Sequence, residues 1–212
     1  MTAGRLLSVN VGGVRDVPTP SRRTVPTGIW KAPVAGRVAV RGVNLEGDDQ
    51  ADRRVHGGPH KAVYAYAREE LDWWEREVER PLEHGAFGEN LTTEGLDVSG
   101  ALLGERWHVG TTVLEVVQPR VPCFKLGLRF DDPRMVRAFA KAHRPGAYLR
   151  IVEEGALQAG DAIDVVDVPD HGVTVRFVFQ ALLGDHERFE RALDAPQLPV
   201  ELRDWMRQGL TS

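Results

Sequence analysis

The 212-residue chain contains one cysteine, Cys123. A single thiol excludes an intramolecular disulfide and an all-cysteine zinc site, and it suits a reducing compartment. No apolar run approaches the roughly 18–20 residues that a membrane helix needs, so no membrane role is expected. Met1 to Gly13 alternates polar and apolar residues without the apolar core of a secretion signal. These absences make the cytoplasm the expected location. A basic excess is also missing: Lys+Arg is 27 against 31 Asp+Glu, a formal net charge of −4. That is not the footprint of a protein that binds a nucleic acid polymer, although net charge leaves room for a local basic pocket. Lysine is scarce, with only Lys31, Lys61, Lys125 and Lys141. Several fingerprints are lacking as well. Gly12-Gly13 opens no dinucleotide-binding helix, and there is neither a Walker loop nor a G-x-S-x-G elbow.

What is present is ordinary globular composition, 42% hydrophobic and 27% charged, enough to bury a core. At about 150 residues per domain the length suggests one main domain and an appendage. Strands are read at Leu6–Val11, Arg37–Arg41, Ala62–Tyr66, Glu89–Leu91, Glu105–Val109, Val113–Val117, Ala147–Val152 and Ala162–Val168, many of them bounded by glycine turns. Arg15 to Thr27, with Pro18, Pro20 and Pro26, reads as a long polar loop, either mobile or a lid. Leu71, Trp74 and Val78 give Arg68–Arg80 the stripe of an amphipathic helix. Asp132–His143 reads as a second helix, N-capped by Asp131 or Asp132. After Gly172 an extended Val173–Phe179 is followed by short helices at Ala181–Leu183, Glu187–Leu193 and Val200–Leu210. The pattern predicts a mainly β body over residues 1–170, an antiparallel barrel or closed sheet, with a helical module over 171–212.

Three segments carry candidate chemistry. Gln118-Pro119-Arg120-Val121-Pro122-Cys123-Phe124-Lys125 places the only thiol on a proline-stiffened loop at a strand end, between two cations. Neighbouring cations favour the thiolate, a soft ligand for thiophilic metals; the alternative is an inert buried cysteine. In His56-Gly57-Gly58-Pro59-His60-Lys61 the Gly-Gly-Pro breaks any helix that would align the two histidines as metal ligands. The backbone amides of Gly57 and Gly58 with Lys61 would form an anion seat, or the segment is a plain turn. In Phe87-Gly88-Glu89-Asn90-Leu91, Glu89 and Asn90 enter a strand where they would read a heterocycle edge, or simply close a turn. Asp48, Asp49 and Asp52 lack ligand spacing and read as a solvated acidic loop.

Taken in order, Leu45-Glu46-Gly47-Asp48, Val55-His56-Gly57-Gly58-Pro59 with Lys61, Phe87-Gly88-Glu89-Asn90-Leu91 and Gln118-Pro119-Arg120 with Pro122-Cys123-Phe124-Lys125-Leu126 resemble the MOSC family. That family is named for the C-terminal domain of molybdenum cofactor sulfurases. Within it the segments look like the bacterial 6-N-hydroxylaminopurine resistance (YiiM-like) group, and the tail looks like that group's three-helix module. The resemblance implies a MOSC-type β-barrel with a few peripheral helices and the pterin-type molybdenum cofactor (molybdopterin) as ligand. It makes Cys123 the candidate molybdenum thiolate or a sulfur carrier. It gives Arg120, Lys125 and Lys61 the cofactor's anions to hold. Relatives such as the mitochondrial amidoxime-reducing component reduce N-hydroxylated substrates. Two positions depart from the family pattern: Gly104-Glu105 stands where Gly-Asp is usual, and Val121 where a small polar residue is frequent.

The resulting expectation is a molybdenum cofactor-dependent reductase of small N-hydroxylated substrates. Cys123 and His56 would be catalytic, and Lys61, Gly57, Gly58, Glu89, Asn90, Arg120 and Lys125 would bind cofactor. No flavin, haem or iron–sulfur motif is visible, so a separate electron-donor redox protein is implied. The alternatives are a cofactor or sulfur carrier without turnover, and an interaction module whose tail forms a docking surface or homodimer contact.

Overall fold

Short strands divided by glycine turns close on themselves in the computed structural model, which describes residues 3–51 and 57–210. The chain begins with β1 (Ala3–Val11), the ribbon β2 (Arg15–Pro18) and β3 (Thr24–Thr27), and the short strands β4 (Ala32–Pro33), β5 (Val38–Arg41) and β6 (Asn44–Leu45). A 3-10 turn, Pro59–Lys61, leads into β7 (Val63–Ala67), α1 (Arg68–Glu77) and β8 (Leu91–Glu94). There follow β9 (Arg106–Val109), β10 (Thr112–Pro119), α2 (Phe124–Phe130), α3 (Arg134–Ala142), β11 (Ala147–Glu153), β12 (Gly155–Leu157) and β13 (Ala162–Asp167). The tail is α4 (Val175–Leu182), α5 (Phe189–Ala192) and α6 (Val200–Leu210). No helix among the described residues is long and apolar enough to cross a membrane.

Seven strands form a closed barrel in the order β1-β8-β7-β11-β10-β9-β13, sealed by β13 pairing back onto β1. All these pairings are antiparallel except β7 with β8, where α1 supplies the crossover. Closure removes the exposed sheet edges that an open sheet would leave. β4 adds to β1, and β12-β5-β6 form a separate small sheet.

Strand pleat sends alternate residues to two different cores. From β7, Val63, Ala65 and Ala67 join Leu6, Val9, Trp107, Leu114, Val116 and Leu149 in the barrel interior. Tyr64 and Tyr66 point the other way, into an aromatic layer with Trp74, Phe87, Phe130, Phe139 and Phe179 beneath the helices. The interior is therefore filled, and any ligand site must lie outside it. The tail shares the barrel's cluster through Val175, Val178, Ala181, Phe189, Ala192 and Met206.

Three local readings are corrected, and one helix is added that the pattern does not give. Arg15–Thr27 is a two-stranded ribbon; prolines are tolerated there because the pairing partner is a single outer strand. Phe124–Phe130 is a helix despite Gly127, whose missing side chain lets Pro133 approach: a Cβ there would meet Pro133 Cα at 3.0 Å. Asp131 does not cap the next helix but closes α2 in a left-handed conformation, while Asp132 Oδ1 accepts from the Arg134 amide at 2.9 Å. Val175–Phe179 is helical, because the Thr174 hydroxyl oxygen caps α4 by accepting from the Phe177 amide at 3.1 Å.

Candidate functional site

The ends of β7 and β10, the start of α2 and the segments around Gly28 and Asp48 enclose a cleft of about 690 Å³, measured out to solvent. Tyr64, Phe87, Tyr148 and Ile29 supply its apolar wall; Lys31, Lys61, Arg120 and Lys125 bring four cations, and Asp48 and Asp49 two carboxylates. Half-buried Cys123 lies on the same wall, as the residue immediately before α2. Its backbone is extended, and its carbonyl accepts from the Leu126 amide at 2.9 Å, which fixes the turn of chain that presents the sulfur.

Arg120 follows the last residue of β10 and is 6% exposed. It donates to the Phe87 carbonyl and lies 5.2 Å from the Tyr64 ring centroid and 5.6 Å from that of Phe139. Burial works against its charge. Tyr64, Tyr148 and the Cys123 sulfur more than compensate, so the guanidinium holds its proton more firmly than usual. The Arg120 charge and Cys123 thus act on one another electrostatically. Burial pushes the Tyr148 phenol upward, against the attraction of Arg120.

The opposite wall is a buried polar network. Asp48 pairs with Lys31, with side chains 2% and 9% exposed, and accepts from the Gly12 amide at 3.0 Å and from Asn90 Nδ2 at 2.9 Å. Burial lowers the Lys31 pKa, and Asp48 opposes that shift. Asn90 also donates to the Asn10 carbonyl at 3.2 Å and accepts from the Tyr64 amide at 3.1 Å, locking β1 to β7. The reading of Asp48 as a solvated loop residue is therefore overturned: three donors hold it inside.

The predicted site residues divide. Lys61, Asn90, Arg120, Cys123 and Lys125 meet in the cleft. Glu89, expected to line the pocket, is fully buried away from its wall. It accepts from the amides of Gly85 at 2.6 Å and Phe87 at 3.0 Å and from Thr92 Oγ1 at 3.1 Å. Its carboxyl is raised by burial, against these hydrogen bonds. Its role is to fold the turn that carries Phe87. The Gly58 amide donates to Gln50 Oε1 at 3.2 Å and so is already engaged; with φ 87° that position favours glycine. Neither Gly57 nor Gly58 is part of the cleft wall. His56 and Asp52 lie outside the described residues. At the departures from the family pattern, Val121 is 49% exposed at the cleft, and Glu105 Oε1 accepts from Trp107 Nε1 at 2.7 Å in a structural role.

Lys31, Tyr64, Tyr148 and Gln50 belong to the site but carry no motif. Lysine scarcity was the available signal: three of the four lysines line this one cleft.

A closed barrel with an external cationic cleft around one thiol defines the class. The MOSC domain family profile matches residues 52–164, and the chain belongs to the MOSC domain family. It is 37% identical over 172 residues to the uncharacterized protein YflK of Bacillus subtilis, covering 81% of this chain and 77% of YflK. It is 33% identical over 189 residues to the protein YiiM of Escherichia coli, covering 86% and 82%. A protein named reductase from Gibberella moniliformis is 30% identical over 203 residues, 93% of this chain but 35% of that longer protein. The crystal structure of YiiM from Geobacillus stearothermophilus superposes with a TM-score of 0.79 at 28% identity, over 98% of this chain and 99% of that one.

Proposed function

We propose that the chain is a molybdenum cofactor-dependent oxidoreductase that reduces N-hydroxylated bases or related N-oxygenated compounds. The observation that carries this reading is the meeting of Cys123 with Arg120, Lys31, Lys61 and Lys125 in one cleft. A soft sulfur donor surrounded by cations fits an anionic, metal-bearing pterin. Among the described residues no cluster of three or more His, Cys, Asp or Glu could hold a metal ion by itself, so a metal at Cys123 would take its other ligands from the cofactor. The reductase name of the Gibberella relative supports the redox class.

When bound, the cofactor supplies a two-electron centre for removing oxygen from nitrogen. Cys123 would ligate the metal. Arg120, Lys61 and Lys125 would hold the cofactor's anions, with Asn90 and the Lys31–Asp48 pair fixing the opposite wall. The apolar faces of Tyr64, Phe87 and Tyr148 suit a flat heterocycle and keep water from the reacting bond. The overall change is R–NH–OH + 2 e⁻ + 2 H⁺ → R–NH₂ + H₂O, with electrons from a separate donor protein.

The test is molybdenum and pterin quantitation on protein made in a cofactor-competent host, wild type against Cys123→Ala, followed by reduction of a hydroxylamino purine with a chemical reductant. Wild type should carry both components and turn over; C123A should lose turnover. Bound cofactor without turnover would favour a carrier. Absence of both molybdenum and pterin would refute the reading.

A further inference from the structure

Outside the cleft, three arginines from three separate segments gather around two aromatic rings. Arg15 of β2 lies 4.1 Å from the Trp30 ring centroid, and Arg129 of α2 approaches the same ring at 6.0 Å. Arg80, in the loop after α1, lies 5.5 Å from the Phe130 centroid. Arg80, Arg129 and Phe130 line an open depression of about 760 Å³, measured out to solvent, whose remaining wall is Pro81, Leu82, Ala86 and one carboxylate, Glu83.

Several arginines elsewhere in this protein are paired with carboxylates. Arg68 pairs with Asp72 and Glu75, Arg106 and Arg150 share Glu115, and Arg176 meets Asp97. Among the described residues Arg15, Arg80 and Arg129 form no ion pair. The Nε of Arg129 is enclosed and has no acceptor. Burial first, and then the charges of Arg15 and Arg80, disfavour its cationic form, while Glu89 and Glu83 offset this only in part. Like charges gathered around Arg129 cost free energy. A bound anion relieves that repulsion. Guanidinium forks match the oxygens of a phosphoryl group, and the apolar wall has room for an organic substituent.

We propose that this depression is a second ligand site, independent of the redox reading, that binds a phosphomonoester. The phosphoryl oxygens take the Arg80 and Arg129 forks with Arg15 at the edge, and the organic group lies on Phe130 and Leu82.

The test is titration with phenyl phosphate and with inorganic phosphate, read by calorimetry and by tryptophan fluorescence. Phenyl phosphate should saturate one site and bind more tightly than inorganic phosphate. Affinity should fall about tenfold or more in Arg80→Gln and in Arg129→Gln, the loss of a charge-assisted fork. It should be retained in Lys61→Gln, which alters the cleft instead. Trp30→Phe should keep the calorimetric binding and lose the fluorescence change. Arg80 is exposed, so its variant should fold even if that of Arg129 does not. Unchanged affinity in Arg80→Gln, or no saturation below about 10 mM, would overturn the proposal. Benzoate binding as tightly as phenyl phosphate would overturn the assignment to phosphate.

Discussion

Replacing Asp48 with Asn removes one charge from a pair that water scarcely reaches. Lys31 and Asp48 are 9% and 2% exposed at their side chains, so the variant leaves an ammonium group buried without its counter-ion. The Gly12 amide donates to Oδ1 and Asn90 Nδ2 to Oδ2, so the N–H₂ of the new amide also faces one donor and leaves it without an acceptor. Breaking a buried pair from one side costs about 3–5 kcal/mol. At about 2–4 °C per kcal/mol for a chain of this size, the melting temperature should fall by about 6–20 °C. Lys31→Met should cost less, because Asp48 keeps its two other donors. Urea unfolding and calorimetry of both singles and of the Lys31→Met/Asp48→Leu double would measure the coupling, and the double should recover much of the loss. A D48N cost below about 1 kcal/mol would refute the reasoning, for the pair would then be behaving as a solvated surface contact.

Glu70 is raised from 4.5 to about 7 by burial, with Asp97 adding to the shift and Ser99, Arg144 and Arg176 opposing it. The native state therefore holds a proton that the unfolded chain releases. This contribution is complete below about pH 4.5, falls as pH rises to about 7, and then stays level, a loss of about 3 kcal/mol. Glu70→Gln should remove that slope and raise stability at pH 8; denaturant curves at pH 5 and pH 8 with the wild-type difference intact would argue against it. Arg120→Lys should keep the charge but lose the guanidinium hydrogen bond to the Phe87 carbonyl and the contact over the Tyr64 ring, lowering stability by about 1–3 kcal/mol and, on the proposed function, the molybdenum content as well; thermal unfolding and molybdenum analysis read the two effects separately. Gly146→Ala should destabilise by about 2–5 kcal/mol, because its φ is 61° and a Cβ would sit 2.5 Å from Tyr66 Cδ2 and 2.6 Å from the Ala65 carbonyl. Thermal unfolding within 2 °C of wild type would contradict that contact.

The local sequence was enough to place most of the barrel strands and the helices at Arg68 and Asp132, because period and glycine punctuation act over a few residues. Four ordered motifs identified the family, and they marked Cys123, Arg120, Lys125, Lys61 and Asn90 as neighbours before any coordinate. Where pattern and environment part company, tertiary contacts decided. The pattern gives no helix at Phe124–Phe130, where Gly127 makes room for Pro133. Glu89 and Asn90 are adjacent and both polar, yet the turn directs one into a nest of amides beneath the site and the other onto the cleft wall. Asp48 looks solvated in sequence because its partners, Lys31, Gly12 and Asn90, lie 17, 36 and 42 positions away. Sequence fixes which groups exist and their short-range geometry. Which charges face one another, and which lose their water, depends on contacts between distant segments, and only the closed barrel brings those segments together.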